Sequence, residues 1–97
     1  MIARIAYFDN YTPEQMAARG VYFREQFQPA IASQDGFIAG YFLHHAQGER
    51  IQLVSFTVWE SEDQLRLGEQ RALAMAPMPS GMTYPDRVEI YAVAYQS

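Results

Sequence analysis

The sequence contains no cysteine and no lysine. The absence of cysteine excludes disulfides, thiolate metal sites, iron–sulfur clusters and thiol nucleophiles. All seven basic residues are arginines, so neither Schiff-base catalysis nor a phosphate-loop lysine is available. These two absences remove several classes of covalent catalysis and of metal binding.

Long apolar runs and clusters of basic residues are also missing. The uncharged apolar runs are far too short to span a membrane, and the first residues resemble a strand rather than an export signal, so we expect a cytoplasmic protein. The net charge is −4 and the arginines are scattered, which argues against nucleic acid or an anionic membrane as a partner. At 97 residues, 49% of them hydrophobic, the chain suits one packed domain over residues 1–97.

Periodicity and capping residues predict the first half of the fold. Residues 2–8 have the pattern of a strand. Thr12-Pro13-Glu14-Gln15 begins a helix, because threonine suits the cap, proline the first position and glutamine the third. Pro29 is expected to kink or interrupt this helix, and Asp35-Gly36 to end it. Apolar residues recur along one helical face at Met16, Gly20, Phe23, Phe27 and Ile31.

The second half begins with two strand patterns, residues 37–45 and 51–59, joined by a hairpin. Ser61-Glu62-Asp63-Gln64 then repeats the capping pattern and places two carboxylates in the first turn of a second helix. Pro77 ends that helix. Its predicted buried face consists of Leu65, Gly68, Ala72 and Met75.

A loop, residues 77–86, leads to a last strand predicted over residues 88–95. The order β-α-β-β-α-β predicts an α+β, ferredoxin-like fold: a four-stranded antiparallel sheet with two helices on one face. Every predicted strand carries apolar side chains on both faces, so the face away from the helices is left uncovered. An uncovered apolar face of that size predicts a homodimer that pairs through the sheet.

Two motifs and the order of elements resemble the antibiotic-biosynthesis-monooxygenase-type family of dimeric α+β barrels. Asp35-Gly36-Phe37-Ile38-Ala39-Gly40 is similar to that family's entry into the second strand. Val58-Trp59-Glu60-Ser61-Glu62-Asp63-Gln64-Leu65 is similar to its strand-to-helix signature W-E-S-E-E-A-L. The resemblance spans nearly the whole chain and implies subunits that pair into a dimeric barrel.

The resemblance also implies a mostly apolar pocket in each subunit, between helices and sheet. Some family members oxygenate polycyclic phenols without metal or flavin; the substrate is its own reductant, and the protein holds it dry, favours its deprotonated form and admits dioxygen. We therefore expect a cofactor-independent monooxygenase that acts on an aromatic or polyketide-like molecule, with no cofactor and no metal. The candidate pocket residues are Tyr22, Phe23, Phe27, Tyr41 and Gly68.

Four residues are candidates for the catalytic polar groups. Histidine suits proton transfer near neutrality, and the chain has two, His44 and His45, which as strand neighbours point to opposite faces and cannot readily share a metal ion. Trp59 matches the signature tryptophan, and Asn10 follows the first strand, close to where oxygenase relatives carry a pocket asparagine. Each also has a structural explanation. The histidines can simply be half-exposed residues at the end of a hairpin, Trp59 can anchor the packing and Asn10 can form a turn.

Two other functions remain open from the sequence. The same pocket could support cyclisation, isomerisation or decarboxylation, as in other dimeric-barrel relatives, and the chain could instead be a non-enzymatic dimeric binding or accessory module. A second branch of the family degrades haem with an Asn–Trp–His set whose Trp and His lie on the second helix. Here that helix has neither residue and only Asn10 is left, which disfavours haem degradation.

Overall fold

The structure, a computed structural model, describes residues 1–97 and has the order of elements that the sequence predicts. No helix in it is both long enough and apolar enough to cross a membrane. The strands are β1 (Ile2–Tyr11), β2 (Phe37–Gln47), β3 (Arg50–Trp59) and β4 (Arg87–Ala92). The helices are α1 (Pro13–Tyr22), α2 (Gln28–Ala32) and α3 (Glu62–Met75), with a π-helical turn (Phe23–Phe27) joining α1 to α2.

The four strands form one antiparallel sheet in the order β2-β3-β1-β4. Its register places Phe8 opposite Leu53 and Ala6 opposite Ser55, and directly opposed residues share one face of a sheet. Phe8 and Leu53 are 2% and 0% exposed because the helices cover this face. The ferredoxin-like α+β fold is thereby confirmed.

Both predicted helix starts are confirmed by their caps. The Thr12 hydroxyl accepts a hydrogen bond from the backbone N–H of Gln15 at 3.1 Å, and the Gln15 side chain accepts one from the N–H of Thr12 at 2.9 Å. The Ser61 hydroxyl accepts from the N–H of Gln64 at 3.2 Å. Each bond satisfies a backbone donor that the first helical turn would otherwise leave unpaired.

The interruption predicted at Pro29 takes the form of the π turn just before it. The N–H of Gln28 bonds the carbonyl of Phe23, five residues back. Because the proline ring crowds the carbonyl of the preceding turn and offers no N–H, a widened turn relieves a conflict that a regular α-helix would contain. The backbone therefore stays helical from Pro13 to Ala32.

The larger core cluster lies where α2 and α3 meet the sheet. Trp59 and Leu65 are 0% and 1% exposed, and Ala72 and Ala76 are buried beside them. The predicted face of the second helix is thus correct at three positions and wrong at Met75, which is 64% exposed. The buried row advances four residues at its end, from Ala72 to Ala76, and Met75 falls about 100° away around the helix.

The last strand is shorter than predicted and ends at Ala92. Ala92 is paired with Ile2, and the N–H of Val93 still bonds the carbonyl of Met1 at 2.9 Å. Residues further along, such as the 89% exposed Tyr95, lie past the end of β1 and have no strand to pair with.

The face of the sheet away from the helices is uncovered and mostly apolar, with Arg87 and Glu89 as charged residues on its β4 edge. The register brings Tyr41 opposite Phe56 and Leu43 opposite Val54, and Tyr41 and Leu43 are 59% and 50% exposed. We call this surface the open face; its apolar members include Ile5, Tyr7, Tyr41, Leu43, Val54, Phe56, Val58 and Tyr91.

Candidate functional site

A cleft lies between the helices and the covered face of the sheet. Its empty volume is about 510 Å³, counting the part that opens to solvent. The apolar and aromatic lining consists of Phe8, Tyr22, Phe23, Phe27, Leu73, Met78, Tyr84 and Pro85. The polar lining consists of Arg4, Arg19, Ser55 and Glu69.

The aromatic wall of the cleft is presented by the π turn. Phe23 stacks on Phe42 with ring centroids 4.6 Å apart, and it meets Phe27 edge-to-face at 5.3 Å. Phe23 and Phe27 also border a smaller neighbouring pocket of about 330 Å³. The wall therefore offers flat ring faces and edges, which suit an aromatic ligand.

Tyr22 closes one side of the cleft and is nearly buried. Its hydroxyl donates a hydrogen bond to the carbonyl of Ala76 at 2.7 Å. Burial raises the pKa of Tyr22, and the nearby charge of Arg19 partly offsets this. The phenol is thus held in its neutral form and ties α1 to the end of α3.

A bulge at the end of β1 supplies a further aromatic ring behind the cleft. Pairing with β3 shifts between Phe8 and Tyr11, and Asn10 has a positive φ of 61°. Because the bulge adds one residue, Phe8 and Tyr11 both point toward the helices, and their rings meet edge-to-face at 6.0 Å.

Arg19 is the buried positive charge of the site, with only 3% of its surface exposed. Its guanidinium lies over the Phe8 ring, 4.0 Å from the centroid, and its Nη1 donates to the Tyr11 hydroxyl at 3.0 Å and to the Thr83 carbonyl at 2.7 Å. No carboxylate pairs with it. Burial lowers the pKa of Arg19, and an arginine nonetheless keeps its proton in a protein.

An ion pair forms the other polar wall. Arg4 on β1 donates from Nε to Glu69 Oε1 on α3 at 2.7 Å, and the two side chains are 20% and 25% exposed. Burial raises the pKa of the Glu69 carboxyl, and the Arg4 charge opposes this shift in part. Glu69 is the one carboxylate that lines the cleft, so it is the candidate proton acceptor there.

The catalytic candidates from the sequence do not come together at this cleft. Asn10 is exposed at the bulge, and its backbone carbonyl is 3.5 Å from Arg50 Nη1. His44 and His45 are exposed near the hairpin end of β2, and His45 Nε2 lies 2.9 Å from Gln52 Oε1. Their catalytic role stays a prediction.

Trp59 is fully buried in the core, and its ring packs against Gly68. A Cβ added at Gly68 would approach the indole Cη2 and Cζ3 to 2.5 Å, and Phe37 meets the same ring edge-to-face at 5.4 Å. The indole Nε1 has no hydrogen-bond partner. Trp59 and Gly68 thus pack against each other between the sheet and α3, and neither lines the cleft.

The candidate pocket residues divide between two surfaces. Tyr22, Phe23 and Phe27 line the cleft. Tyr41 borders the smaller pocket, but its ring pairs with Phe56 on the open face at 6.1 Å. No three His, Asp or Glu side chains are grouped in a way that could hold a metal ion.

The charged residues of the cleft were not predicted from the sequence, although its two arginines occupy positions in the apolar pattern that could have indicated them. Arg19 lies three residues after Met16 and four before Phe23, which places it on the apolar helical face. Arg4 alternates with Ile2 and Ala6 on an otherwise apolar strand face. A charge inside an apolar period indicates a buried polar site.

The fold is shared with solved structures that include two oxygenases. The monooxygenase ActVA-Orf6 of Streptomyces coelicolor, in complex with nanaomycin D, superposes with a TM-score of 0.70 over 99% of this chain and 89% of its own, at 18% identity. A variant of SnoaB, a cofactor-independent oxygenase from Streptomyces nogalater, superposes with a TM-score of 0.65 over 98% of this chain and 94% of its own, at 15% identity. A variant of MhuD with two manganese protoporphyrin IX molecules per active site superposes with a TM-score of 0.73 over 100% of this chain and 98% of its own, at 16% identity.

The resemblance to antibiotic-biosynthesis-monooxygenase-type proteins is thereby confirmed at the level of the fold. The sequence matches no family model and no curated protein.

Proposed function

We propose that this protein is a cofactor-independent monooxygenase of the antibiotic-biosynthesis type, acting on an aromatic or polyketide-like molecule bound in the cleft. The observation that carries the proposal is an aromatic cleft with one ion-paired carboxylate, Glu69, on its wall. The fold supports it, since it is shared with the cofactor-independent oxygenase SnoaB and with the monooxygenase ActVA-Orf6.

The proposed chemistry needs a deprotonated phenol held away from water. Phe23 and Phe27 stack against the rings of the substrate and exclude solvent. Glu69 accepts the phenolic proton, and its raised pKa brings it closer to that of the phenol than an ordinary carboxylate would be. Arg4 holds the Glu69 carboxyl in place from 2.7 Å. The electron-rich phenolate then supplies the electrons that reduce dioxygen: one oxygen atom bonds to a ring carbon, which loses its hydrogen and becomes a quinone carbonyl, and the other oxygen atom leaves as water.

We propose further that the protein is a homodimer joined through the open face. That face carries about eight apolar side chains that are partly exposed, and burying a fully exposed one is worth roughly 1.5–3 kcal/mol, so covering each contributes a fraction of that amount. The half-exposed Tyr41, Leu43 and Tyr91 account for much of the apolar surface that a second copy would cover. Two-fold pairing of identical faces is the simplest closed arrangement.

Oxygen uptake with a polyphenolic substrate tests the enzymatic proposal. We expect uptake by the wild type and a loss of at least about tenfold in Glu69→Gln, which keeps the shape of the side chain but removes the proton acceptor. Glu25→Gln is the matched control, because Glu25 is exposed on the π turn and pairs only with Arg24.

Two results would contradict this proposal. If turnover is the same with and without oxygen, the hypothesis of a cyclase, isomerase or decarboxylase would be favoured over oxygenation. Full uptake in Glu69→Gln would remove the carboxylate from the mechanism.

A further inference from the structure

Arg19 has a pair of donors that the fold leaves unused. Its Nη1 is fully engaged by the Tyr11 hydroxyl and the Thr83 carbonyl, at 3.0 and 2.7 Å. On the opposite edge, Nε has no partner, and the contact of Nη2 is the thioether of Met78 at 3.8 Å. Sulfur is a weak acceptor, so the edge formed by Nε and Nη2 lacks a strong partner.

That edge has the geometry that binds carboxylates. The N–H groups of Nε and Nη2 are parallel and form one of the two-donor forks with which arginine takes a carboxylate in a bidentate manner. A lysine would offer no such fork, and the chain has none.

The surroundings of Arg19 make the missing counter-ion significant. The other arginines that form ion pairs are Arg4, Arg24, Arg66 and Arg87, whereas Arg19 is 3% exposed and has none. A buried charge is costly unless it is paired, and its neighbours here are neutral rings, a hydroxyl, a carbonyl and a thioether.

We propose that the ligand of the cleft is an aromatic carboxylate whose anionic group binds the Nε–Nη2 edge of Arg19 in place of Met78. Arg19 and Met78 both line the cleft together with the aromatic wall, so rings and carboxylate can be engaged at once. The inference rests on the proposed function, because it takes the cleft to be the substrate site. It narrows the substrate from any phenol to a phenol that also carries a carboxylate.

Binding of naphthoate and of naphthamide, measured by calorimetry, tests this inference. The two probes share a ring system and differ in charge, and neither needs to be oxidised. We expect the wild type to bind naphthoate at least about tenfold more tightly than naphthamide, because a charge-assisted hydrogen bond contributes at least that difference in affinity. Arg19→Met, which keeps an unbranched apolar stem against Phe8, should bind the two probes equally.

Arg24→Met is the matched control, because it removes the same charge from an exposed position on the next turn. It should keep the preference for naphthoate. Arg19→Lys should keep part of it, since the charge remains but the fork is lost.

Three outcomes would overturn the inference: equal binding of both probes by the wild type, a preference that survives in Arg19→Met, or no binding of either probe. If Arg19→Met does not fold, the comparison of the two probes on the wild type and on Arg19→Lys decides. The proposed function is tested independently of this inference: it would be wrong if naphthoate binds as expected but the protein takes up no oxygen with any polyphenol.

Discussion

Gly68 and Trp59 are packed so closely that a methyl group at position 68 would lie 2.5 Å from the indole ring. Atoms do not approach to that distance without a shift of the helix or of the ring, and the ring is 0% exposed. The separation of α3 from the sheet is therefore set by the absence of a side chain at this position.

We expect Gly68→Ala to lower the free energy of unfolding by roughly 1–3 kcal/mol, because overpacking a rigid core outweighs the helix propensity gained. Gly20→Ala is the control: a Cβ there meets nothing within 4 Å. It should raise stability by about 0.5–1 kcal/mol. Urea unfolding of both variants measures the contrast, and equal shifts would contradict the contact with Trp59.

The positive φ of Asn10 gives a way to separate its structural role from a catalytic one. Asn10→Gly should be close to wild type in stability, whereas Asn10→Ala should lose roughly 1–2 kcal/mol, because alanine resists the left-handed conformation. Thermal unfolding measures this. If Asn10→Gly folds normally but loses oxygen uptake, the amide takes part in the reaction as the sequence predicts.

The raised pKa of Glu69 predicts two pH dependences. Oxygen uptake should fall with decreasing pH at a higher pH than for an ordinary glutamate, because the acceptor must be ionised. The pH dependence of stability should run in the opposite direction to that of oxygen uptake. Since the pKa is higher in the folded than in the unfolded state, wild-type stability relative to Glu69→Gln should decrease as pH rises through the interval between the two values. A rise of this stability difference over that pH interval would contradict a raised pKa for Glu69.

Leu43→Glu tests the proposed dimer, because Leu43 is 50% exposed on the open face, where it lies on the edge strand β2. We expect equilibrium sedimentation to give twice the 11.1 kDa chain mass for the wild type and the single mass for the variant. Leu67→Glu, at a 45% exposed position on α3, should leave the dimer intact. A folded wild-type monomer at micromolar concentration would contradict the proposal.

His44→Ala and His45→Ala test whether histidine takes part in catalysis. Neither ring borders the cleft, so we expect both variants to retain turnover. Removing a general acid or base costs on the order of 100-fold or more. A loss of that size in either variant would return the histidine to the mechanism and require that the site extend toward the hairpin of β2 and β3.

The fold could be predicted from the sequence because its signals are local. Thr12 and Ser61 mark helix starts by bonds to residues three positions away, and the alternation of the strands determines which side chains share a face. The errors arose at ends: Met75 lies beside the buried row, the first strand runs three residues beyond the predicted 2–8, and the last strand stops where its neighbour stops.

The polar part of the cleft could not be predicted in the same way. The ion pair of Arg4 with Glu69 and the contact of Arg19 with Thr83 join distant parts of the chain, and no local pattern records which partners will meet. The histidines were predicted as catalytic from their chemistry, which is a property of the side chain alone. Their position depends on the register of a long hairpin.

The bulge in β1 has a consequence for comparing this chain with others. Leu53 and Ile51 are two residues apart on β3, whereas their partners Phe8 and Tyr11 are three apart on β1, so one residue of β1 is supernumerary. A chain shorter by that residue would restore plain alternation and would still direct its tyrosine inward, toward Arg19. Alignments of related chains should therefore tolerate a one-residue gap between Phe8 and Tyr11, and a tyrosine displaced by one position should be treated as its equivalent.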